Sequence, residues 1–289
     1  MGDGDGEGGA FLMSGGSNRR KDRMSTTSRA WLSGKVPAGF WDVRQHRVAY
    51  MQWLGEQLGF KKPSDWYSLK RRHFRENRGG GLLVLAYDDS PLQALRDFMP
   101  DAQWHPWLLA STPQRFWADP ANRRAYMRWL ERRLGIERPE QWYGVKQEDF
   151  LRNSGGGLLA NYYGHSPIAA LKEYLPRRRW QPWRFTSVPQ HFWQDPDNRR
   201  RYLDWLARRL RIRTPEQWYG VTVEQIADHH GVTLVAHFRW SMLNIVKEYL
   251  PDYDWKPWLF RRVPSHYWQN HVNRHRYLDW LAENNGGKP

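Results

Sequence analysis

The feature that most constrains the fold of this chain is a register of tryptophans with a period of 76 residues. Two series follow this spacing: Trp53, Trp129 and Trp205, and Trp66, Trp142 and Trp218. The first series continues 75 residues later at Trp280, because one residue is missing between Phe238 and Ser241. A fixed period is typical of stacked structural repeats, each of which buries an apolar face against its neighbour. The register predicts copy 1 (37–112), copy 2 (113–188), copy 3 (189–263), and a half-copy with a tail (264–289).

Copy 2 shows the motifs of the repeat most clearly, in the stretch from Trp142 to Trp183. An arginine-rich run precedes this stretch, and its apolar residues have the spacing of one helix face: Tyr126, Trp129, Leu130 and Leu134. Ser166-Pro167 is typical of a helix start, with a capping serine before a proline. No alternating apolar pattern is long enough for a strand. The predicted fold class is all-α, a tandem array of three ~76-residue helical repeats plus a C-terminal capping half-repeat.

The first 36 residues differ in composition from the copies. They are rich in Gly, Ser and Arg, begin with a cluster of acidic residues, and carry a basic patch at Arg19-Arg20-Lys21. We therefore interpret residues 1–36 as a disordered tail. A targeting segment is the alternative, because residues 19–35 are rich in Arg and Ser and poor in acidic residues.

Several classes of function are disfavoured because their characteristic residues are missing. The chain has no Cys, which excludes disulfides and thiolate metal sites. We find no metal-binding motif among the eleven His, and no catalytic Ser/His/Asp arrangement or repeated carboxylate pair. We therefore predict no enzyme activity, no cofactor and no metal. No run approaches the roughly 18 apolar residues of a membrane-spanning helix, so no membrane partner is predicted.

The chain is strongly basic, with a net charge of +15, and the excess is unevenly placed. Residues 37–107 carry +2 and residues 189–258 carry +1, whereas residues 113–183 carry +6. Basic domains usually bind polyanions, of which nucleic acid is the commonest. We predict DNA or RNA as the partner, with a protein as the alternative. The predicted location is intracellular, nuclear or virion-associated, with an organelle as the alternative.

The basic excess of copy 2 includes a line of arginines on the predicted long helix. Arg124, Arg128 and Arg132 recur every four residues on the face opposite the aromatic residues. They are either an ordinary solvated helix face or a phosphate-binding surface. The predicted nucleic-acid-binding residues are Arg123, Arg124, Arg128, Arg132, Lys146, Arg152, Gly155, Gly156, Gly157, Arg177, Arg178, Arg179, Arg200 and Arg208.

Two further motifs each allow two interpretations. The run Gly155 to Gly157 precedes a predicted helix, so it is either a tight turn between helices or a site where backbone N–H groups contact phosphate. The pair Trp180 and Trp183 is either packing between copies or a stacking platform for unpaired bases. Copy 3 lacks the glycine run and has Arg239-Trp240 before its Ser241. We interpret these differences as a loss of any ligand contact at the turn with retention of the fold.

The pattern of WY, GGGLL, SPxxALKEY and WxPW motifs resembles a tryptophan-rich tandem-repeat family of large DNA viruses, algae, protists and fungi. The likeness covers about residues 37–281 and is strongest in copy 2. It implies a repeat architecture and no particular activity. The leading prediction is therefore a non-enzymatic nucleic-acid-binding protein that contacts mainly phosphates. The alternative is a structural or adaptor protein of a virion or organellar assembly.

Overall fold

The computed structural model describes residues 26–113, 115–263 and 266–285. Every regular element in these ranges is a helix, so the predicted all-α class is confirmed. In the same ranges no helix is both long enough and apolar enough to cross a bilayer. The chain divides into two compact units, one that ends at Ala118 and one that begins at Asp119.

The first unit contains the elements of copy 1 and one short helix on each side of it. Its α-helices are α1 Arg44–Gln57, α2 Arg71–Glu76, α3 Gly80–Tyr87 and α4 Pro91–Phe98. Short 3-10 helices lie around them at Thr26–Leu32, Phe40–Asp42, Pro63–Ser68, Pro106–Leu108 and Phe116–Ala118. The order is one long helix followed by three short ones.

In the second unit a long helix is followed by short ones twice, and one more long helix comes after them. Its α-helices are α5 Pro120–Arg133, α6 Gln147–Arg152, α7 Gly156–Tyr162, α8 Pro167–Tyr174, α9 Pro196–Leu210, α10 Val223–Ile226, α11 Val232–His237, α12 Met242–Tyr249 and α13 His271–Asn285. Its 3-10 helices are Pro139–Gly144, Pro182–Arg184, Phe192–Gln194, Pro215–Gly220, Pro257–Leu259 and Tyr267–Gln269. A π-helical turn, Ala227–Gly231, joins α10 to α11.

Local sequence explains where the longer helices begin. At α5 the side chain of Asp119 accepts a hydrogen bond of 2.8 Å from the N–H of Ala121. Pro120 occupies the first helical position, where its missing N–H has no intrahelical partner to lose. Ser166 caps α8 in the same way, accepting from the N–H of Ala169 at 3.3 Å. The start of α8 lies where the sequence predicts it, at Ser166-Pro167.

The core of each copy is built around the buried tyrosine of its long helix. Tyr50, Tyr126 and Tyr202 occupy equivalent positions and are fully buried. Leucines from the following short helices pack in the same cores, as Leu82 and Leu83 do in the first unit. Since each large ring buries on the order of 150–250 Å², this aromatic layer supplies much of the apolar burial.

The prediction of a disordered tail over residues 1–36 is wrong at its C-terminal end. Thr26–Leu32 is helical, and Trp31 within it is only 1% exposed. The Trp31 ring lies 5.5 Å from the ring of Tyr50 and 6.0 Å from that of Trp53, so burial of the indole fixes this segment on α1. Residues 1–25 lie outside the described residues.

Trp183, at the end of copy 2, packs on the long helix of copy 3 as Trp31 packs on α1. Its ring lies 5.5 Å from that of Tyr202 and 5.8 Å from that of Trp205, both on α9. Trp180 and Trp183 are both buried. Trp183 therefore packs the end of copy 2 into copy 3, whereas Trp180 packs within copy 2 on Tyr143 and Phe185. Because both indoles are buried, neither presents a ring face for stacking with a base. In the half-copy, Trp258 packs in the same way on Tyr277 of α13, at 5.5 Å.

Candidate nucleic-acid interface

The solvent-facing side of α5 carries the predicted line of arginines. Tyr126 and Leu130 face the core, and Arg124, Arg128 and Arg132 are exposed on the opposite side. Neighbours in this line are separated by about 6 Å along the helix axis. Among the described residues, none of the three guanidinium groups has a carboxylate oxygen within 4.0 Å. We call these three residues the α5 arginine line.

A shorter form of this surface occurs on α9 of copy 3. Arg200 and Arg208 are exposed, and neither forms an ion pair with a described residue. Asp204 stands between them and accepts a hydrogen bond of 2.7 Å from the hydroxyl of Tyr249. The carboxylate interrupts the positive surface, so α9 offers a weaker cationic face than α5.

The three consecutive arginines after α8 have different environments. Arg177 and Arg179 are exposed. Arg178 is not available in the same way, because its Nη2 donates to Oε1 of Glu140 at 2.6 Å and its guanidinium lies 5.0 Å from the ring centre of Trp180. The carboxylate of Glu140 offsets the charge of Arg178, so this arginine is a poorer candidate for phosphate contact than Arg177 or Arg179.

Tyr174, at the end of α8, lies beside the α5 arginine line. Its hydroxyl donates to Oε2 of Glu131 on α5 at 2.7 Å. Burial and this hydrogen bond raise the pKa of Tyr174, and the nearby charges of Arg128 and Arg132 oppose the rise without cancelling it. The phenol is therefore neutral at pH 7, and the two arginines lie beside the C-terminal end of α8.

Arg123, next to the α5 arginine line in sequence, belongs to the interior of the copy. Its Nε donates to Oε1 of Glu173 at 2.9 Å, its side chain is only 12% exposed, and it lies over the ring of Tyr162. Equivalent pairs are Arg47 with Asp97 and Arg199 with Glu248. Arg123 is therefore a poor candidate for phosphate contact, because it joins the long helix to the last helix of its copy.

The glycine run also has an architectural role. The N–H of Gly155 donates to the carbonyl oxygen of Phe150 at 2.7 Å, and Gly155 is buried. The hydroxyl of Tyr126 occupies the space that a side chain at Gly155 would need, and it donates to the carbonyl oxygen of Asn153 at 3.2 Å. Gly156 is half-buried and Gly157 exposed. These contacts favour the tight-turn interpretation over phosphate binding.

The remaining predicted residues, Lys146 and Arg152, are exposed on a different part of copy 2. Both flank α6, which packs beside the glycine turn and α7. Since Tyr126 points from α5 toward that turn, the α5 arginine line lies on the side of α5 away from it. The structure therefore does not bring the predicted residues into one site. It leaves the glycine turn, Lys146 and Arg152 apart from the α5 arginine line.

A second basic feature, in copy 3, was not predicted. It is a groove of about 890 Å³ whose lining includes Arg239, Trp240, Arg261 and Arg262. The difference between Arg239-Trp240 and the corresponding Gly164-His165 of copy 2 is visible in the sequence. Sequence reasoning interpreted it as decay because the residues that approach it, Arg261 and Arg262, come from a later segment.

Comparison of the chain with protein families, with characterised proteins and with solved structures gives no significant match.

Proposed function

We propose that the chain is a tandem array of three helical repeats and a C-terminal half-repeat that binds nucleic acid without catalysing a reaction. The α5 arginine line is the main contact surface, and its targets are phosphate groups. The observation that carries the proposal is that Arg124, Arg128 and Arg132 are exposed in one row with no acidic partner among the described residues.

The spacing of this row suits a polyanion. Three arginines every four residues span about 12 Å along the helix axis, and phosphates of one DNA strand advance about 3.4 Å per nucleotide along the duplex. Arg177 and Arg179 extend the positive surface beyond the end of α8. Guanidinium groups bind phosphate oxygens strongly through charge-assisted hydrogen bonds. Such contacts neutralise the backbone and carry no direct base information, so we expect strong salt dependence and little sequence preference.

The test is to replace Arg124, Arg128 and Arg132 together by Ala in the full chain. Binding to a fluorescently labelled DNA duplex and an RNA duplex is measured by anisotropy from about 50 to 200 mM salt. Each lost phosphate contact should make the negative slope of log affinity against log salt shallower by about 0.9. The slope of the triple variant should therefore be shallower than that of wild type by up to about 2.7.

The matched control removes the same charge elsewhere. Lys61, Lys62 and Arg96 of copy 1 are exposed, and among the described residues none of their side chains forms an ion pair. Replacing these three by Ala should leave the slope nearly unchanged. Equal losses in both variants would mean that total charge alone drives binding, and no binding by the wild-type chain would overturn the proposal.

A structural or adaptor role is the second candidate, and one observation favours it. Trp268 is 39% exposed and Leu278 on α13 is 58% exposed, whereas Trp193 and Leu203 at the equivalent positions of copy 3 are buried. Exposed apolar faces of this kind often mark protein interfaces. If the wild-type chain binds no nucleic acid and a nuclease-treated pull-down still retains specific proteins, this second candidate replaces the first.

A further inference from the structure

The groove in copy 3 forms where three segments of the copy meet. Its walls come from the start of α10, from the turn before α12, and from the segment after Pro257–Leu259. Copy 2 has a groove at the equivalent place, with a volume of about 310 Å³ and Lys146, His165 and Ser187 in its lining. The groove of copy 3 is larger, at about 890 Å³, and its side chains differ in kind.

The two grooves differ at a turn of two residues whose backbone is in the left-handed conformation. The turn occurs in each copy: Asp88-Asp89, Gly164-His165 and Arg239-Trp240 all have positive φ angles. The N–H of Trp240 donates to the carbonyl oxygen of Val235 at 2.7 Å, which holds the turn closed on α11. A bulky residue rarely adopts this backbone conformation, so Trp240 is not explained by local backbone preference.

Packing does not explain Trp240 either. Its side chain is 55% exposed, in contrast to the buried Trp180, Trp183 and Trp255. No aromatic ring of the described residues packs against its indole. The residue therefore presents a wide apolar ring at the edge of the groove and does not contribute it to the core. An exposed indole of this kind is suited to stacking against a flat ligand.

Three arginines line the same groove as this indole. Arg239 precedes it in the turn, and Arg261 and Arg262 reach the same groove from the segment after Phe260. Copy 2 has Thr186 and Ser187 at the positions of these last two arginines. Glu224 is the one acidic residue among the groove residues, so the local balance is three arginines against one carboxylate. The groove therefore combines a flat apolar ring with an excess of guanidinium groups.

We propose that the Arg239-Trp240 groove binds single-stranded nucleic acid, with one unpaired base stacked on Trp240 and its flanking phosphates on Arg239, Arg261 and Arg262. A base supplies the flat ring, and the adjoining phosphates supply the negative charge that the arginines require. This inference rests on the proposed nucleic-acid-binding function and adds to it a preference for unpaired over paired strands. In a duplex the bases are stacked on each other and cannot reach the indole.

The test compares Trp240→Ala, Trp240→Phe and wild type on two probes: a labelled mixed-sequence single strand of about 12 nucleotides and the same sequence in a duplex. Trp240→Ala should weaken single-strand binding by roughly tenfold and leave duplex binding nearly unchanged. Trp240→Phe should retain most of the single-strand affinity because it keeps a stacking ring. Since Trp240 is exposed, circular dichroism and the melting temperature should be unchanged in both variants.

Two further experiments test whether the single strand lies in this groove. Photocrosslinking of a 5-iodouracil-substituted single strand, followed by mass spectrometry, should modify Trp240. Arg261 and Arg262 replaced together by Ala should lower the salt slope on the single strand by up to about 1.4. A free mononucleotide such as AMP should compete poorly; strong competition would show that the groove takes a free nucleotide and would overturn the assignment of a strand.

The outcomes separate this inference from the broader proposal. If wild type binds duplex and single strand, and Trp240→Ala changes neither or weakens both equally, this inference is wrong while the broader function stands. If single-strand binding depends on Trp240 and duplex binding does not depend on the α5 arginine line, the groove assignment stands and the α5 surface is wrong. Wild type that binds neither probe overturns both.

Discussion

The hydroxyl oxygen of Tyr126 lies 2.1 Å from the position that a Cβ atom at residue 155 would occupy. The same relationship joins Tyr50 to Gly79, at 2.0 Å, and Tyr202 to Gly231, at 2.4 Å. In each copy the long helix inserts a phenol against the turn before the second short helix. Glycine is therefore required at this turn because another side chain fills its space.

The first prediction follows from this contact. Gly155→Ala should destabilise the second unit by about 1–3 kcal/mol, because the added methyl group overlaps the Tyr126 ring and the core must shift to admit it. Gly144→Ala is the matched control, since no atom lies within 4 Å of its Cβ position. Urea unfolding followed by tryptophan fluorescence measures both. Equal effects of the two substitutions would contradict this account of the turn.

The second prediction separates two neighbouring arginines. Arg123→Ala should lower the stability of the second unit by about 1–2 kcal/mol, because it removes the ion pair with the half-exposed Glu173 and the packing over Tyr162. Arg124→Ala should leave stability within about 0.5 kcal/mol, since its side chain is exposed. Nucleic-acid affinity should show the opposite order. A larger loss of affinity in a folded Arg123→Ala chain would contradict the assignment.

The third prediction compares a buried with an exposed tryptophan. Trp183→Ala should destabilise the second unit by about 3–5 kcal/mol, because it leaves a cavity against Tyr202 and Trp205. Trp240→Ala makes the same chemical change at an exposed position and should have little effect on the melting temperature. Thermal unfolding by circular dichroism checks this difference; similar melting temperatures would contradict the packing role of Trp183.

The fourth prediction concerns pH. Nδ1 of His73 accepts a hydrogen bond of 3.3 Å from the N–H of Lys70, and burial together with the charge of Arg72 lowers the pKa of this imidazole. The unfolded chain, whose histidines have a pKa near about 6.5, therefore binds the proton more tightly than the folded state. The contribution of His73 to stability is present above that pH and is lost as the pH falls below it.

His73→Gln should reduce this loss. Copy 3 has Gln225 at the equivalent position, and its Oε1 accepts the corresponding hydrogen bond from the N–H of Thr222 at 2.9 Å. The variant keeps an acceptor and removes the titrating group. The decrease in unfolding free energy between about pH 7.5 and about pH 5.5 should be smaller in His73→Gln than in wild type. An equal decrease in the two chains would rule out His73 as a source of the pH dependence.

Features set by neighbouring residues were predictable from the sequence. The apolar spacing of Tyr126 and Leu130 and the capping residues Asp119 and Ser166 locate helices because their hydrogen bonds and periodicity are local. The all-α class follows from the same patterns. The burial of the tryptophans in the Trp-x-Pro-Trp motif was also anticipated, as one of two interpretations.

Features set by distant residues were not predictable. Arg123 and Arg124 are alike in sequence, and only the approach of Glu173, fifty residues later, separates an internal ion pair from a free surface. The glycine run was recognised as a turn, but its contact with Tyr126 depends on how α5 crosses it. Trp31 lies 76 residues before Trp107 and so follows the period of the repeat. It was assigned to the tail because the residues around it are mostly polar, and its contact with α1 is visible only in the structure.

The turn of two left-handed residues has a consequence for how such an array can diversify. Its backbone is the same in each copy, while its side chains are two acids, Gly-His or Arg-Trp. In copy 1 the turn is occupied internally, since Asp89 pairs with Arg71 at 3.2 Å. In copy 3 the same position faces a wide basic groove. The same backbone can therefore serve different roles in different copies. In one copy the turn forms an internal ion pair, and in another a few changed surface residues leave it open to a ligand.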